Sequence, residues 1–488
     1  MNLADVLRAS ADRYADRPVV TDVASARCLT YAELAREAER VSAFLAAHGV
    51  GRHQRVGLRA ENGLGYLPAA FGILAAGACL TPIAGHLTPA ETAELIQDVD
   101  LNAWLGFPEA GAPADDARGA PVLRGGACAG FALRDTGEAA GPVEFRELDP
   151  AFIRFTSGTT GASKGVVLSH DATLARVDAA DRVLRFGPDD RILWVLPLAY
   201  HFAVTIVAYV RAGAHILMCP DARPAAMLDA IHRLRPTVLY ASPLHFDRLG
   251  RLESRGRLES VRVALSTSAP LASAVRERFE SQHGLPLGQA YGIIEAGLPC
   301  INPGGAGRAE SLGRPVPGYE VTILSGAGPH PGPDGTGEIA VRGPGLFSAY
   351  YRPWRRRDDL LVGGWFPTGD VGWLDEDGAL HLSGRKKAVI LVAGLKVFPE
   401  EVEACIDRFP GVAASRVFAR SHERLGEVPC AQIVPEPDGG DLDLESLAAH
   451  CARLLSPHKV PVEFTPVDAI ARTSGGKVLR RLAPGATR

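Results

Sequence analysis

The loop Thr156-Ser157-Gly158-Thr159-Thr160-Gly161-Ala162-Ser163-Lys164-Gly165 directly follows the apolar run Phe152 to Phe155. That order constrains its surroundings. A short apolar run reads as a buried strand, so the loop after it must turn outward to solvent or to a ligand. Side-chain hydroxyls, the N–H groups of three glycines and one Lys make a flexible cradle for a polyphosphate. The loop is not a Walker motif, which needs G-x-x-x-x-G-K-[ST], because no glycine stands five residues before a Gly-Lys pair.

Helical and strand patterns alternate around it. Residues 31–48 place Leu34, Ala35, Ala38, Val41, Leu45 and Ala46 on one face, with Gly49 as the stop. A strand at 55–58, a buried helix from Tyr66, a glycine turn at Gly77 and a strand at 78–82 complete a strand–helix–strand unit. Residues 107–146, rich in Gly, Ala and Pro, read as a surface connection with one strand at 121–123. After the loop come a helix from His170 and strands at 191–196, 214–218, 238–241 and 261–266. These predict an α/β fold whose large N-terminal domain layers helices on mainly parallel sheets. Between 311 and 382, short strands with turns at Asp334-Gly335 and Asp377-Gly378 predict a small β-rich subdomain. Pro399 opens a helix with Val402, Ile406 and Phe409 on one face, inside a compact α+β unit.

Composition narrows the classes of function. With 52 basic against 56 acidic residues in 488, the net charge of −4 calls for neither a nucleic-acid nor a membrane partner. Eight Cys without a CxxC pair fit neither a disulfide framework nor a zinc site, so reduced, buried thiols in a cytoplasmic protein are expected. The N-terminus lacks a signal-peptide core, and the uncharged stretch 66–85 is broken by Pro and Gly, unlike a membrane span. Only 6 of the 52 basic residues are Lys, namely 164, 386, 387, 396, 459 and 477. Each is therefore a candidate for a site that needs a compact ammonium rather than a guanidinium fork.

Further motifs follow in order. They are Thr30-Tyr31-Ala32-Glu33-Leu34, Tyr291-Gly292-Ile293-Ile294-Glu295, Gly337-Glu338-Ile339-Ala340-Val341-Arg342-Gly343, Trp365-Phe366-Pro367-Thr368-Gly369-Asp370, Gly384-Arg385-Lys386-Lys387 and Gly475-Gly476-Lys477-Val478-Leu479-Arg480-Arg481. With the loop, they span nearly the whole chain and resemble the adenylate-forming superfamily, which includes acyl- and aryl-CoA synthetases, peptide-synthetase adenylation domains and firefly luciferase.

The resemblance implies a domain at 1–386 that binds ATP and acid, and a small mobile domain at 387–488 that turns about Lys387 between two half-reactions. An acid would attack the α-phosphate of ATP, release pyrophosphate, and pass from AMP to a thiol of CoA or phosphopantetheine. The crowding of negative charge calls for Mg²⁺ at Glu295 and a cation at Lys477. ATP and AMP would contact Thr156, Ser157, Gly158, Thr159, Thr160, Lys164, Tyr291, Gly292, Asp370 and Arg385, with Asp370 and Arg385 at the ribose and Tyr291 against adenine. In the second orientation Ala393, Gly394 and Leu395 would line the thiol tunnel. Ala393 stands where the family usually has glycine, and Ile294 where it usually has Thr.

The same resemblance places the acyl pocket at Tyr200, His201, Phe202, Ala203, Ser266, Thr267, Ser268, Gly292, Ile293 and Ile294, with His201 as a catalytic gate. Peptide-synthetase adenylation domains carry Asp at the position of Ala203, where it holds an α-ammonium. Burying that ammonium without a counter-charge costs several kcal/mol, so Ala203 argues against an α-amino acid and leaves aryl, alkyl and β-amino acids. The expected partners are a small carboxylic acid and, for the second step, free CoA or a carrier protein acting in trans. Two alternatives stand beside an acyl-CoA synthetase: an enzyme loading an aryl or β-amino acid onto a carrier in natural-product biosynthesis, and a catalytically weak nucleotide-binding relative.

Overall fold

A computed structural model describes residues 1–470 apart from 86, 88, 107–119, 138–140, 157–163, 253–257, 305–310, 326–334, 393–394, 423–424, 437–441 and 456. Two large sheets dominate. The nine-stranded sheet has six adjacent parallel strands, in the order Pro18–Asp22, His215–Met218, Arg191–Trp194, Val238–Ala241, Val263–Ser266 and Leu287–Ile293. Antiparallel strands Cys28–Thr30 and Gly297–Asn302 flank them. In the eight-stranded sheet, Ala103–Gly106, Arg55–Arg59, Cys79–Ile83 and Pro150–Thr156 run parallel. The interior strands are buried, as expected of sheets covered on both faces.

The helices between them follow from local chemistry. Thr30 and Glu33 cap helix Tyr31–Ala47 reciprocally: the Thr30 hydroxyl accepts from the Glu33 N–H, and the Glu33 carboxylate accepts from the Thr30 N–H at 2.8 Å. This gives the Thr30 motif a structural reason. The helix buries Leu34, Ala38, Val41 and Leu45 against helix Tyr66–Ala75. Their close approach depends on Gly72, where a Cβ would lie 2.5 Å from the Val41 Cβ. Asn2 and Asp5 cap helix Leu3–Tyr14 in the same way.

The segment after the phosphate-cradle loop differs from the expected direct entry into a helix. Residues Lys164–Ser169 form a strand antiparallel to Pro150–Thr156, with Thr156 opposite Lys164, and only then does Ser169 cap helix His170–Leu184. The loop therefore closes a hairpin. In the connection 107–146, strand Ala132–Asp135 pairs with Ala103–Gly106, whereas 121–123 contributes only the Val122–Ala132 bridge. The strands between 311 and 382 are shared among three sheets: Arg314–Pro315 joins the nine-stranded one and Ala349–Tyr350 the eight-stranded one. A four-stranded antiparallel sheet holds Glu320–Leu324, Gly337–Arg342, Phe366–Leu374 and Leu380–Arg385. Of the two expected turns, Asp377-Gly378 is present with Gly378 at φ +74°, while Asp334 lies outside the described residues.

From residue 390 a separate apolar cluster forms around Ile390, Val397, Val402, Ile406, Val417, Ile433, Leu447 and Cys451. It packs helices Pro399–Ile406 and Leu444–Leu454 on a sheet built from the hairpin Val412–His422 and Gly426–Pro435. All eight cysteines are free; seven are buried, but Cys28 is exposed on an edge strand. No helix among the described residues is long and apolar enough to cross a membrane.

Candidate active site

Tyr291 is on the last parallel strand of the nine-stranded sheet, and Asp370 and Arg385 face each other on adjacent strands of the four-stranded sheet. The three side chains meet where these sheets adjoin. The Tyr291 hydroxyl donates to Asp370 Oδ2 at 2.7 Å, and Arg385 Nε donates to Oδ1 at 2.6 Å. Asp370 is 3% exposed and Arg385 half exposed, so a buried carboxylate is compensated by a guanidinium that reaches solvent. Burial and the adjacent carboxylate push the Tyr291 phenol well above its usual range.

The motifs around them brace this junction. Thr368 Oγ1 donates to the Ile339 carbonyl at 2.7 Å and accepts from the Asp370 N–H at 3.2 Å. Glu338 accepts the Gly369 N–H at 3.1 Å with one oxygen and the Lys386 ammonium at 2.7 Å with the other. Gly369 sits at φ +77°, which a glycine adopts without strain. The Gly-Glu, Thr-Gly-Asp and Gly-Arg-Lys motifs are thus parts of one hydrogen-bonded corner.

Glu295 follows the Tyr291 strand at the turn into Gly297–Asn302. Tyr350 donates to its Oε1 at 2.9 Å, while no hydrogen bond among the described residues ends on Oε2. One hard carboxylate oxygen without a hydrogen bond among the described residues fits Mg²⁺, which keeps most of its shell for phosphates and water. No group of three or more His, Cys, Asp or Glu among the described residues forms an all-protein metal cage. Two arginines flank Glu295, the half-buried Arg154 and the buried Arg176, and desolvation lowers the pKa of both while Glu295 opposes the shift. Sequence reading missed both. Arg154 had a signal, a charge inside the apolar strand that leads into the loop; its Nη1 donates to the Tyr200 carbonyl at 2.9 Å, and the guanidinium lies 4.8 Å from the Tyr200 ring centroid.

Beyond Tyr200, the chain passes through a π-helical turn over Phe202–Ile206, a device frequent at functional sites. The His201 ring meets Trp194 and Tyr240 edge-on at 5.6 and 6.0 Å, and Tyr240 donates to Thr267 Oγ1 at 3.2 Å. Phe202 turns away into the core against Phe71, and Ala203 is buried beside it. Ser266 ends the strand Val263–Ser266, and Ser268 holds a positive φ of +75°. Ile293 and Ile294 border Glu295, Ile294 being buried and Gly292 exposed. The structure therefore brings Tyr200, His201, Thr267 and Glu295 toward one region, with Phe202 outside it.

Ser157, Gly158, Thr159, Thr160, Ala393, Gly394 and Lys477 lie outside the described residues. Thr156 and Lys164 are placed by the hairpin register, Lys387 by the short helix 386–388, and Leu395 by the start of strand Leu395–Val397.

Two large sheets layered with helices, the Tyr291–Asp370–Arg385 junction and a separate α+β unit beyond residue 390 together have the architecture of an adenylate-forming enzyme. The chain belongs to the AMP-binding enzyme family, whose pattern matches residues 7–351; the AMP-binding enzyme C-terminal domain matches 401–477. It is similar to a sulfoacetate–CoA ligase of Cupriavidus necator, 31% identical over 98% of this chain and 96% of that protein. It is also similar to the fatty acid–[acyl-carrier-protein] ligase ScoC of Streptomyces coeruleorubidus, 29% identical over 93% of this chain and 91% of that protein. Among solved structures, ATP-bound MatB from Rhodopseudomonas palustris superimposes with a TM-score of 0.82 at 26% identity, over 98% of this chain and 97% of MatB.

Proposed function

We propose that this chain is an ATP-dependent, AMP-forming carboxylic acid–thiol ligase. The observation that supports the reading is the junction of Tyr291, Asp370 and Arg385, with Tyr291 four residues along the chain from Glu295, whose Oε2 accepts no hydrogen bond among the described residues. Asp370 accepts the ribose hydroxyls, and Arg385 approaches from the exposed side. Glu295 would hold Mg²⁺, which would neutralise part of the phosphate charge. Lys477 supplies an ammonium near the attacking oxygen, and the loop 156–164 holds the phosphates through N–H and hydroxyl donors. His201 and Tyr200 shield the reacting carboxylate from water. Residues 1–386 form the large domain and 387–488 the small one, whose rotation at Lys387 brings Ala393, Gly394 and Leu395 to the adenylate for thiol attack.

The acid is aryl, alkyl or β-amino, since the buried Ala203 offers no counter-charge for an α-ammonium. A cytoplasmic location belongs to this reading, supported by eight free cysteines. The similarity to ScoC favours a second reading, in which the acceptor is the phosphopantetheine of a separate carrier protein rather than free CoA. Acid-dependent exchange of labelled pyrophosphate into ATP, screened over a panel of acids, tests the first half-reaction. Trapping the activated acid with CoA or with a carrier separates the acceptors. Absence of exchange with every acid, while ATP still binds, would leave only the weakly catalytic relative.

A further inference from the structure

Arg176 lies on helix His170–Leu184, which leaves the hairpin that carries the phosphate loop. It is 2% exposed. Its hydrogen bonds all end on main-chain carbonyls: Nη1 donates to Ile294 at 2.8 Å, Nε to Gly345 at 3.0 Å and Nη2 to Glu295 at 3.3 Å. Two glycines make room for it. A Cβ at Gly345 would lie 2.5 Å from the Arg176 Cβ, and one at Gly297, where φ is +79°, would lie 3.0 Å from its Cδ. The same turn is held from other sides by the Tyr319 hydroxyl on the Ala296 carbonyl at 2.6 Å and by the Phe347 N–H on the Glu295 carbonyl at 2.7 Å.

A guanidinium is a planar fork of five donors, able to fix several carbonyls at once, and no other side chain substitutes for that geometry. Here the fork joins helix His170–Leu184 to the turn bearing Glu295. We infer that Arg176 is a positioning residue that fixes the main chain of Ile294 and Glu295, and so sets the direction in which the Glu295 carboxylate is held. The inference rests on the ligase reading of Glu295 as the metal-facing carboxylate. Arg176 touches neither nucleotide nor metal; it acts through the backbone.

The test is a double-mutant cycle of Arg176→Met and Glu295→Gln, read in two ways. Pyrophosphate exchange should fall at least thirtyfold for Arg176→Met in the wild-type background and less than threefold in the Glu295→Gln background. Equal fold losses in both backgrounds would show a merely structural arginine and overturn the inference. The second readout is Mn²⁺·ATP affinity by electron paramagnetic resonance, beside metal-free ATP affinity by calorimetry. Arg176→Met should weaken the former at least tenfold and the latter less than twofold; equal weakening overturns the inference. Should Arg176→Met not fold, Arg176→Lys, which keeps the charge without the fork, carries the same comparison. Loss of exchange for every acid in the wild type counts against the ligase reading alone, because the Mn²⁺·ATP arm still reports on Arg176.

Discussion

The Tyr291 hydroxyl and the Asp370 carboxylate are bonded at 2.7 Å between two sheets, so the group proposed to hold ribose is occupied by the protein itself. An ionised carboxylate has about four acceptor sites, so a ribose hydroxyl can bind beside the phenol as well as in its place. Removing the hydroxyl takes a hydrogen bond from a buried charge, which costs about 1.5–3 kcal/mol. Tyr291→Phe should therefore lower the unfolding free energy by about 2 kcal/mol while raising the KM for ATP less than threefold. Asp370→Asn should raise that KM at least tenfold. Equal KM effects of the two changes would assign ribose binding to the phenol instead of the carboxylate.

Lys477 is the single Lys of a glycine-rich segment in a chain that otherwise writes Arg. Lys477→Ala should slow adenylate formation at least a hundredfold, about 3 kcal/mol of transition-state stabilisation. Thioester formation from pre-made acyl-AMP should change less than fivefold. Similar losses in both half-reactions would remove its specific role in adenylation.

Ser268, in the turn proposed to border the acyl pocket, adopts φ +75°, a region costly for a residue with a Cβ. Ser268→Gly should raise the denaturation midpoint, by about 1 kcal/mol of stability, and Ser268→Val should lower it by more. A Ser268→Gly protein less stable than wild type would mean that the hydroxyl compensates the backbone.

Much of this site was legible because its residues lie in local motifs. Strand Val238–Ala241 and the helix start at His170 were set by apolar runs and by Ser169, and both are where the sequence puts them. Strand Lys164–Ser169 was missed because its apolar centre, Val166-Val167-Leu168, is too short to be told by periodicity from the start of the helix that follows, and its pairing with Pro150–Thr156 identifies it as a strand. Arg176 was invisible for a different reason. Its partners are carbonyls more than a hundred residues away, and a carbonyl carries no sequence signal. The scarcity of Lys was informative only in part: Lys386 and Lys459 have ion-pair partners in Glu338 and Glu401, structural uses that composition cannot separate from chemistry.

His215 and His245 are neutral in the folded chain, their pKa values lowered to about 4 by burial and secondarily by Arg191 and Arg248. The unfolded chain takes up protons at each near pH 6.5. Their contribution is thus complete above about pH 6.5 and is lost as pH falls toward 4, at up to about 1.4 kcal/mol per pH unit for each. Urea midpoints measured from pH 7 to 4.5 should fall, and His245→Gln should flatten the slope. An unchanged slope would place the acid sensitivity elsewhere.

Lys387 follows two anchored residues. Arg385 is tied to Asp370 and Lys386 to Glu338, both on the four-stranded sheet, whereas strand Ile390–Val392 already belongs to the C-terminal apolar cluster. The rotation proposed for the small domain would therefore be absorbed between 387 and 389. A proline at 387 fixes φ near −65° and disfavours the helical conformation of Lys386 before it, so one orientation becomes hard to reach. The adenylating orientation is the one retained, because bound ATP would contact both domains and hold it. Lys387→Pro should keep most pyrophosphate exchange and slow transfer to the thiol at least tenfold, about 1.4 kcal/mol or more. Unchanged transfer would move the pivot away from this residue. A loss of both half-reactions with an unchanged melting temperature would mean that the adenylating orientation is the one the proline forbids.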